Sequence, residues 1–192
     1  AYSFFSNKAL PVGEGGMVAT DDPDVAKRVR LLRSHGMTSL TWDRHRGRAS
    51  SYDVVELGFN YRIDEPRAAL AAVRLARVDP DNGRRAAAAE LYRSRLGAVD
   101  GVTPAMPGGE GIQSAHHLFT VVLDEGLDRD GVREAMSGAG VQTSLHYPPI
   151  HRFSAYGETA DVPVTDRYSR QAITLPLYPA ITEEQVGLVV DS

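Results

Sequence analysis

A lysine on a loop between two apolar segments is the feature of this chain best suited to covalent chemistry. Lys8 sits in Ser3-Phe4-Phe5-Ser6-Asn7-Lys8-Ala9-Leu10 and is followed by the glycine-rich Gly13-Glu14-Gly15-Gly16. Ala1 to Phe5 is aromatic and short enough to be a strand, and Gly16-Met17-Val18-Ala19-Thr20 reads as a second strand after a tight turn. A lysine held between buried strands is partly desolvated, which favours the neutral amine and lets it attack a carbonyl to form a Schiff base. A solvated loop lysine is the other reading of the same residues, because most lysines stay in water.

A second group of candidates lies between Met37 and Ser51, where Trp42, Asp43, Arg44, His45, Arg46 and Arg48 form a basic loop with no clear periodicity. Arginine forks match phosphate oxygens and tryptophan stacks on a flat base, so a nucleotide diphosphate attached to a sugar suits this loop better than nucleic acid does. An ordinary flexible loop is the competing account. His116, His117, His146 and His151 invite a metal reading. Adjacent histidines on a strand point to opposite faces, the Tyr147-Pro148-Pro149-Ile150 spacer is not helical, and no acidic residue near by in sequence completes a ligand set, so no metal is expected.

These residues need elements to position them. Asp22 with Pro23 reads as a helix start, Val25, Val29 and Leu32 mark one helical face, and Gly36 supplies the stop. Lys27, Arg28, Arg30 and Arg33 fall mostly on the other face and read as solvated. Tyr52 to Leu57 looks like a short strand leading into Gly58-Phe59-Asn60-Tyr61-Arg62. Asp64 and Pro66 then open a helix whose stretch from Ala68 to Val78 is apolar enough to be buried on most sides. Asp79-Pro80-Asp81-Asn82-Gly83, between two helical runs, reads as the best candidate boundary, with the domain change close to it. Beyond it come a helix from Arg84 to Leu96, a strand from His117 to Leu123, a helix capped by Asp128 with Val132 and Met136 inward, a strand from Val141 to Leu145, a helix near Asp166 to Ala172, and a last helix with a Thr182/Gln185 capping box.

The 192 residues carry a formal charge of -4, 42% hydrophobic residues and no cysteine. That composition suits a globular protein with one core or two small ones, argues against a general nucleic-acid binder, and excludes disulfides and thiolate metal sites. No apolar run approaches the ~18 residues that span a bilayer, so no membrane partner and a cytoplasmic location are expected. The chain begins at Ala1, inside what reads as a strand, and a processed or truncated protein is expected on that ground.

In order, SFFxxKxL, GEGGMVAT, RLLRSHG, GFNYRIDE and HYPPIH resemble the DegT/DnrJ/EryC1/StrS family of sugar aminotransferases, which are fold-type-I pyridoxal 5'-phosphate (PLP) enzymes. The resemblance covers nearly the whole chain. It implies an α/β fold: the C-terminal part of a fold-type-I PLP-dependent transferase, with residues 1–80 forming the remainder of the PLP-binding large domain and 81–192 a small C-terminal α/β domain. It implies that Lys8 is the catalytic lysine that carries the cofactor, that Ser3 helps hold its phosphate, and that Asn60 reaches the phosphate of a neighbouring subunit across a homodimer interface. Trp42, Arg62, His146 and Tyr147 are then the substrate-binding residues. The reaction implied moves an amino group from an amino acid, usually glutamate, to a nucleotide-linked ketosugar. Family members with histidine at the lysine position are dehydratases, and Lys8 argues against that branch.

One departure supports an alternative. The family places a long segment before the lysine, and fold-type-I enzymes draw from it the aspartate that pairs with the pyridine nitrogen and the residue that stacks on the ring. Seven residues precede Lys8 here. The chain is therefore expected either to need an N-terminal segment of the same protein as its partner, or to be a non-catalytic remnant or binding module of the same fold.

Overall fold

The structure is a computed structural model, and it describes residues 1–39, 45–47, 50–105, 111–156 and 160–192. The chain divides into two compact units, Ala1–Val78 and Asp79–Ser192.

In the first unit, β1 (Tyr2–Ser3) pairs antiparallel with β2 (Gly16–Met17), with Tyr2 opposite Met17 and Ser3 opposite Gly16. Helix α1 (Pro23–Leu32) starts as its sequence requires. Asp22 Oδ1 accepts from Asp24 N at 2.8 Å and Val25 N at 3.2 Å, and Pro23 occupies a position whose missing N–H costs nothing. Helix α2 (Glu65–Leu75) is capped in the same way, Asp64 Oδ1 accepting from Arg67 N at 2.9 Å.

Helix α2 overturns an expectation. It buries no residue within this chain; Val73 is 70% and Leu75 63% exposed. Its alanine, leucine and valine content is that of a buried helix, but the described residues of the first unit form no apolar cluster to receive it. Val12 is the large apolar side chain buried there among the described residues, while Tyr2, Met17, Val18, Val54, Val55 and Phe59 stand exposed. Tyr52 to Leu57 is also not a strand. Its backbone makes a single bridge, Val54 with Met37, because its neighbours are the loop ends after α1 and not another extended segment.

The second unit has its own core. Helix α3 (Val78–Leu96) runs straight through residues 79–83, so the expected break between two helices there is absent, while the division into two units falls beside it, between Val78 and Asp79. Pro80 falls in the opening turn, where helical N–H groups lack partners anyway, and Asp79 and Asp81 sit favourably at the positive end of the helix dipole. Strands β3 (Val102–Pro104), β4 (Phe119–Leu123) and β5 (Ala172–Leu175) form an antiparallel sheet in that order, with Thr120 opposite Thr174. Phe119, Val121 and Leu123 of the central strand point into the core, and every residue of β5 is buried. The expected strand at Val141–Leu145 contributes only a bridge from Ser144 to Thr174.

Helices α4 (Arg129–Gly138), α5 (Pro163–Gln171) and α6 (Glu183–Asp191) complete the unit. Met136 from α4 and Val186 and Val189 from α6 join Tyr92, Leu96, Phe119 and Ile173 in one apolar cluster. Each large side chain so buried contributes roughly 1.5–3 kcal/mol. Thr182 and Gln185 make the expected capping box. Tyr92 is fully buried, stacks on Phe119 at 4.9 Å between centroids, and donates its hydroxyl to Pro176 O at 2.9 Å. Burial pushes its ionisation well above the ordinary tyrosine range.

Candidate functional site

Lys8 lies half-buried on a closed loop. Phe4 N donates to Gly15 O at 2.9 Å, Val12 N donates to Phe4 O at 2.9 Å, and Phe5 bridges Gly13, so both ends of the loop are fixed. Within it, Lys8 N donates to Phe5 O at 3.0 Å and Phe5 N donates to Ser3 Oγ at 3.3 Å. Ser3 and Lys8 are therefore joined through Phe5 by one turn of backbone. Ser3 accepts in its bond and keeps its own hydroxyl proton to donate.

Asn60 is held by a separate device. The segment 53–61 lies against the C-terminal end of α1 and the loop after it: Phe59 N donates to Leu32 O at 2.7 Å, Tyr61 N to Arg33 O at 2.9 Å, His35 N to Phe59 O at 2.9 Å, and Val55 N to Gly36 O at 3.0 Å. Two glycines permit this approach. A Cβ on Gly36 would stand 1.8 Å from Glu56 O, and one on Gly58 would stand 2.3 Å from Gly36 N. Asn60 is exposed, and its Oδ1 accepts from Arg62 Nε at 3.1 Å.

Arg62 also lines a cavity of about 900 Å³ in the first unit, together with Tyr2, Met17, Arg30, Arg33 and Arg67. Arg30 and Arg33 are exposed, as expected of a solvated helix face, and they also line this cavity, which holds four arginines and Glu14. Nothing in the sequence of α1 signals that Arg62 and Arg67 will line it too. Ser3, Lys8 and Asn60 do not line the cavity. Trp42 lies outside the described residues.

In the second unit, His146 and Tyr147 are neighbours in ring contact, edge to face at 4.7 Å. His146 Nδ1 is 3.0 Å from Thr174 Oγ1, and Thr174 Oγ1 is 3.1 Å from Thr120 Oγ1. His146 faces a smaller cavity of about 170 Å³, which His117, Gln142, Ser144 and Thr174 also line. The link to Thr174 spans 28 residues of sequence and has no local signal. The register of β4 against β5 puts Thr120 and Thr174 opposite each other.

His151 belongs to another cluster. Its Nε2 lies 3.1 Å from Asp166 Oδ1, to which Arg152 Nε donates at 2.8 Å. The hydrogen bond from Arg152 holds the Asp166 carboxyl down at about 2. Among the described residues no three histidine or acidic side chains are grouped so as to hold a metal ion.

The family model for the DegT/DnrJ/EryC1/StrS aminotransferases matches residues 1–192. Solved structures match as well. The aminotransferase TlmJ from Streptoalloteichus hindustanus is 31% identical with a TM-score of 0.87, over 98% of this chain and 49% of its own. DesV from S. venezuelae is 34% identical with a TM-score of 0.86, over 98% of this chain and 48% of its own. Spr1654 from Streptococcus pneumoniae, solved in a PLP-form, is 24% identical with a TM-score of 0.85, over 98% of this chain and 49% of its own; at that identity it speaks for the fold alone. The chain spans about half the length of these structures and has the mixed α/β fold of their C-terminal halves. It belongs to the DegT/DnrJ/EryC1/StrS aminotransferase family.

Proposed function

We propose that this chain supplies the lysine-bearing part of a PLP-dependent aminotransferase that moves an amino group from an amino acid, with glutamate as donor, to a nucleotide-linked ketosugar. The observation that carries this reading is the placement of Lys8. It is half-buried, on a loop pinned at both ends, one backbone turn from Ser3, in a chain matched from end to end by an aminotransferase family model.

The donors present suit PLP. Ser3 Oγ has a proton to spare for a phosphate oxygen. Asn60 has its oxygen engaged by Arg62, which leaves the Nδ2 amide protons to donate to a phosphate. When bound, PLP supplies a carbonyl that captures amines and an electron sink for the carbon–hydrogen bond that breaks. Lys8 Nζ would hold the cofactor and, when free, would serve as the base that moves a proton at the reacting carbon. Arg62, Trp42, His146 and Tyr147 bind the sugar nucleotide, the arginine taking phosphate oxygens.

In this reading the enzyme is a cytoplasmic homodimer in which Asn60 completes the phosphate site of the partner subunit. Residues 1–80 are the remainder of the large domain and 81–192 the small domain. An N-terminal segment of the same protein covers the exposed apolar side chains of the first unit, as the half-length coverage of the relatives supports. The half-length coverage of the relatives also favours a second reading, in which the chain is a non-catalytic remnant or binding module of the same fold lacking the N-terminal half of the site.

Spectroscopy of the PLP-loaded whole enzyme separates the two. Glutamate alone should convert the visible absorption band to a near-ultraviolet one, and a nucleotide-linked ketosugar should restore it. A protein that stays unchanged with every amino acid offered is not an aminotransferase.

A further inference from the structure

The ring of His146 is anchored to the buried sheet through a side chain to which neither family motif nor sequence pattern gives a role. Thr174 lies in β5 and is 5% exposed. Its N and O both pair with Ser144, at 2.8 and 3.0 Å, and its hydroxyl stands between Thr120 Oγ1 and His146 Nδ1. Thr174 is therefore fixed at backbone and side chain alike. A hydroxyl both donates and accepts, so it satisfies Nδ1 in either neutral tautomer of the ring. With Nδ1 engaged and Tyr147 edge-on to the ring, Nε2 is the nitrogen left to meet a ligand. The cavity that His146 lines offers polar groups from Gln142, Ser144 and His117 beside the apolar Leu118, Leu175 and Leu177, and its ~170 Å³ is room for a single ring-sized group. That mixture of donors, acceptors and apolar surface suits a sugar ring with its hydroxyls.

We propose that Thr174 is a positioning residue for the sugar acceptor: it holds the His146 ring so that Nε2 meets a sugar hydroxyl, and Thr120 keeps the Thr174 hydroxyl on its mark. The inference rests on the reading of His146 as a sugar-facing residue. Its consequence is expected in the step that binds the sugar, since the bond it removes acts on the ring nitrogen opposite the one assigned to a sugar hydroxyl and so on the placing of that ring.

The test uses the whole PLP-loaded enzyme with Thr174→Val, Thr174→Ser and His146→Gln. Thr174→Val keeps the shape and removes the hydroxyl; Thr174→Ser keeps the hydroxyl. Loss of one hydrogen bond should raise KM for the ketosugar about fivefold to tenfold in Thr174→Val. The spectroscopic half-reaction with glutamate alone should keep its wild-type rate, and Thr174→Ser should be close to wild type in both. The proposal is overturned if Thr174→Val leaves the sugar KM unchanged, or if it slows the glutamate half-reaction as much as the sugar step, which marks a general packing defect. A His146→Gln enzyme with normal sugar KM instead refutes the reading of His146 itself, whatever Thr174→Val does.

Discussion

Arg62 Nε donates to Asn60 Oδ1 at 3.1 Å, and this bond decides which end of the asparagine amide is available. The oxygen is committed to the guanidinium, so Asn60 can offer only N–H groups, which is what a phosphate requires. Asn60→Asp should accordingly weaken PLP binding by more than Asn60→Ala does. The carboxylate loses the donors, repels the phosphate and pairs with Arg62. PLP titration of the two variants checks the order; equal affinities would show that Asn60 does not face a phosphate.

Gly58 carries the same positioning one step back. A Cβ there would stand 2.3 Å from Gly36 N, so Gly58→Ala must push the 53–61 segment off the end of α1 and take Asn60 with it. It should lower PLP affinity at least as far as Asn60→Ala does, and the double variant should be little worse than Gly58→Ala alone. Fully additive losses would mean that the two residues act separately.

The elements that could be read from sequence were those with local punctuation. Asp22 with Pro23, Asp64 with Pro66, Asp128, and Thr182 with Gln185 each mark a helix start through atoms within three residues, and each makes the expected bonds. Pro80 and Gly83 suggested a break between two helices, but Pro80 sits in the first turn of one helix, where it interrupts nothing. Helix α2 misled differently: its composition reports burial, but not what buries it. Of the candidate site, Ser3 is legible only through the family resemblance, and the backbone turn that joins it to Lys8 through Phe5 is local. The contacts of Arg30 and Arg33 with the cavity, and of His146 with Thr174, join residues far apart in sequence and leave no local trace.

Acid should expose the role of Asp166. Its carboxyl, held at about 2 chiefly by the Arg152 hydrogen bond, lies below the usual value of about 3.9 for an unfolded chain. Its contribution to stability is thus complete above about pH 4 and is lost as pH falls through that window toward 2. Asp166→Asn should flatten the dependence of Tm on pH between about 4 and 2. A variant that follows the wild-type slope would place the acid sensitivity elsewhere.

Tyr92 should set the alkaline limb. Its folded ionisation is raised by burial, so the contribution of the neutral phenol is present below about pH 10 and lost as pH climbs above it. Tyr92→Phe should remove that loss, at a neutral-pH cost of about 1 kcal/mol for the unpaired Pro176 carbonyl. Denaturant unfolding at pH 7 and pH 11 measures both effects. An unchanged alkaline slope would count against Tyr92 as its origin.

The two units should differ in protection. The apolar cluster lies wholly in Asp79–Ser192, so in this 192-residue chain the amides of β4 and β5 should exchange slowly and those of α2 quickly. If an N-terminal segment covers this unit as proposed, co-expression with it should slow exchange in α2. Protection of α2 in the chain alone would refute the argument from its exposed side chains.

The central claim is that Lys8 carries the cofactor. Borohydride reduction of the PLP-loaded enzyme, followed by peptide mass analysis, should place a pyridoxyl adduct on Lys8, and Lys8→Ala should abolish it. An adduct found on Lys27, or one that persists undiminished in Lys8→Ala, would contradict the account.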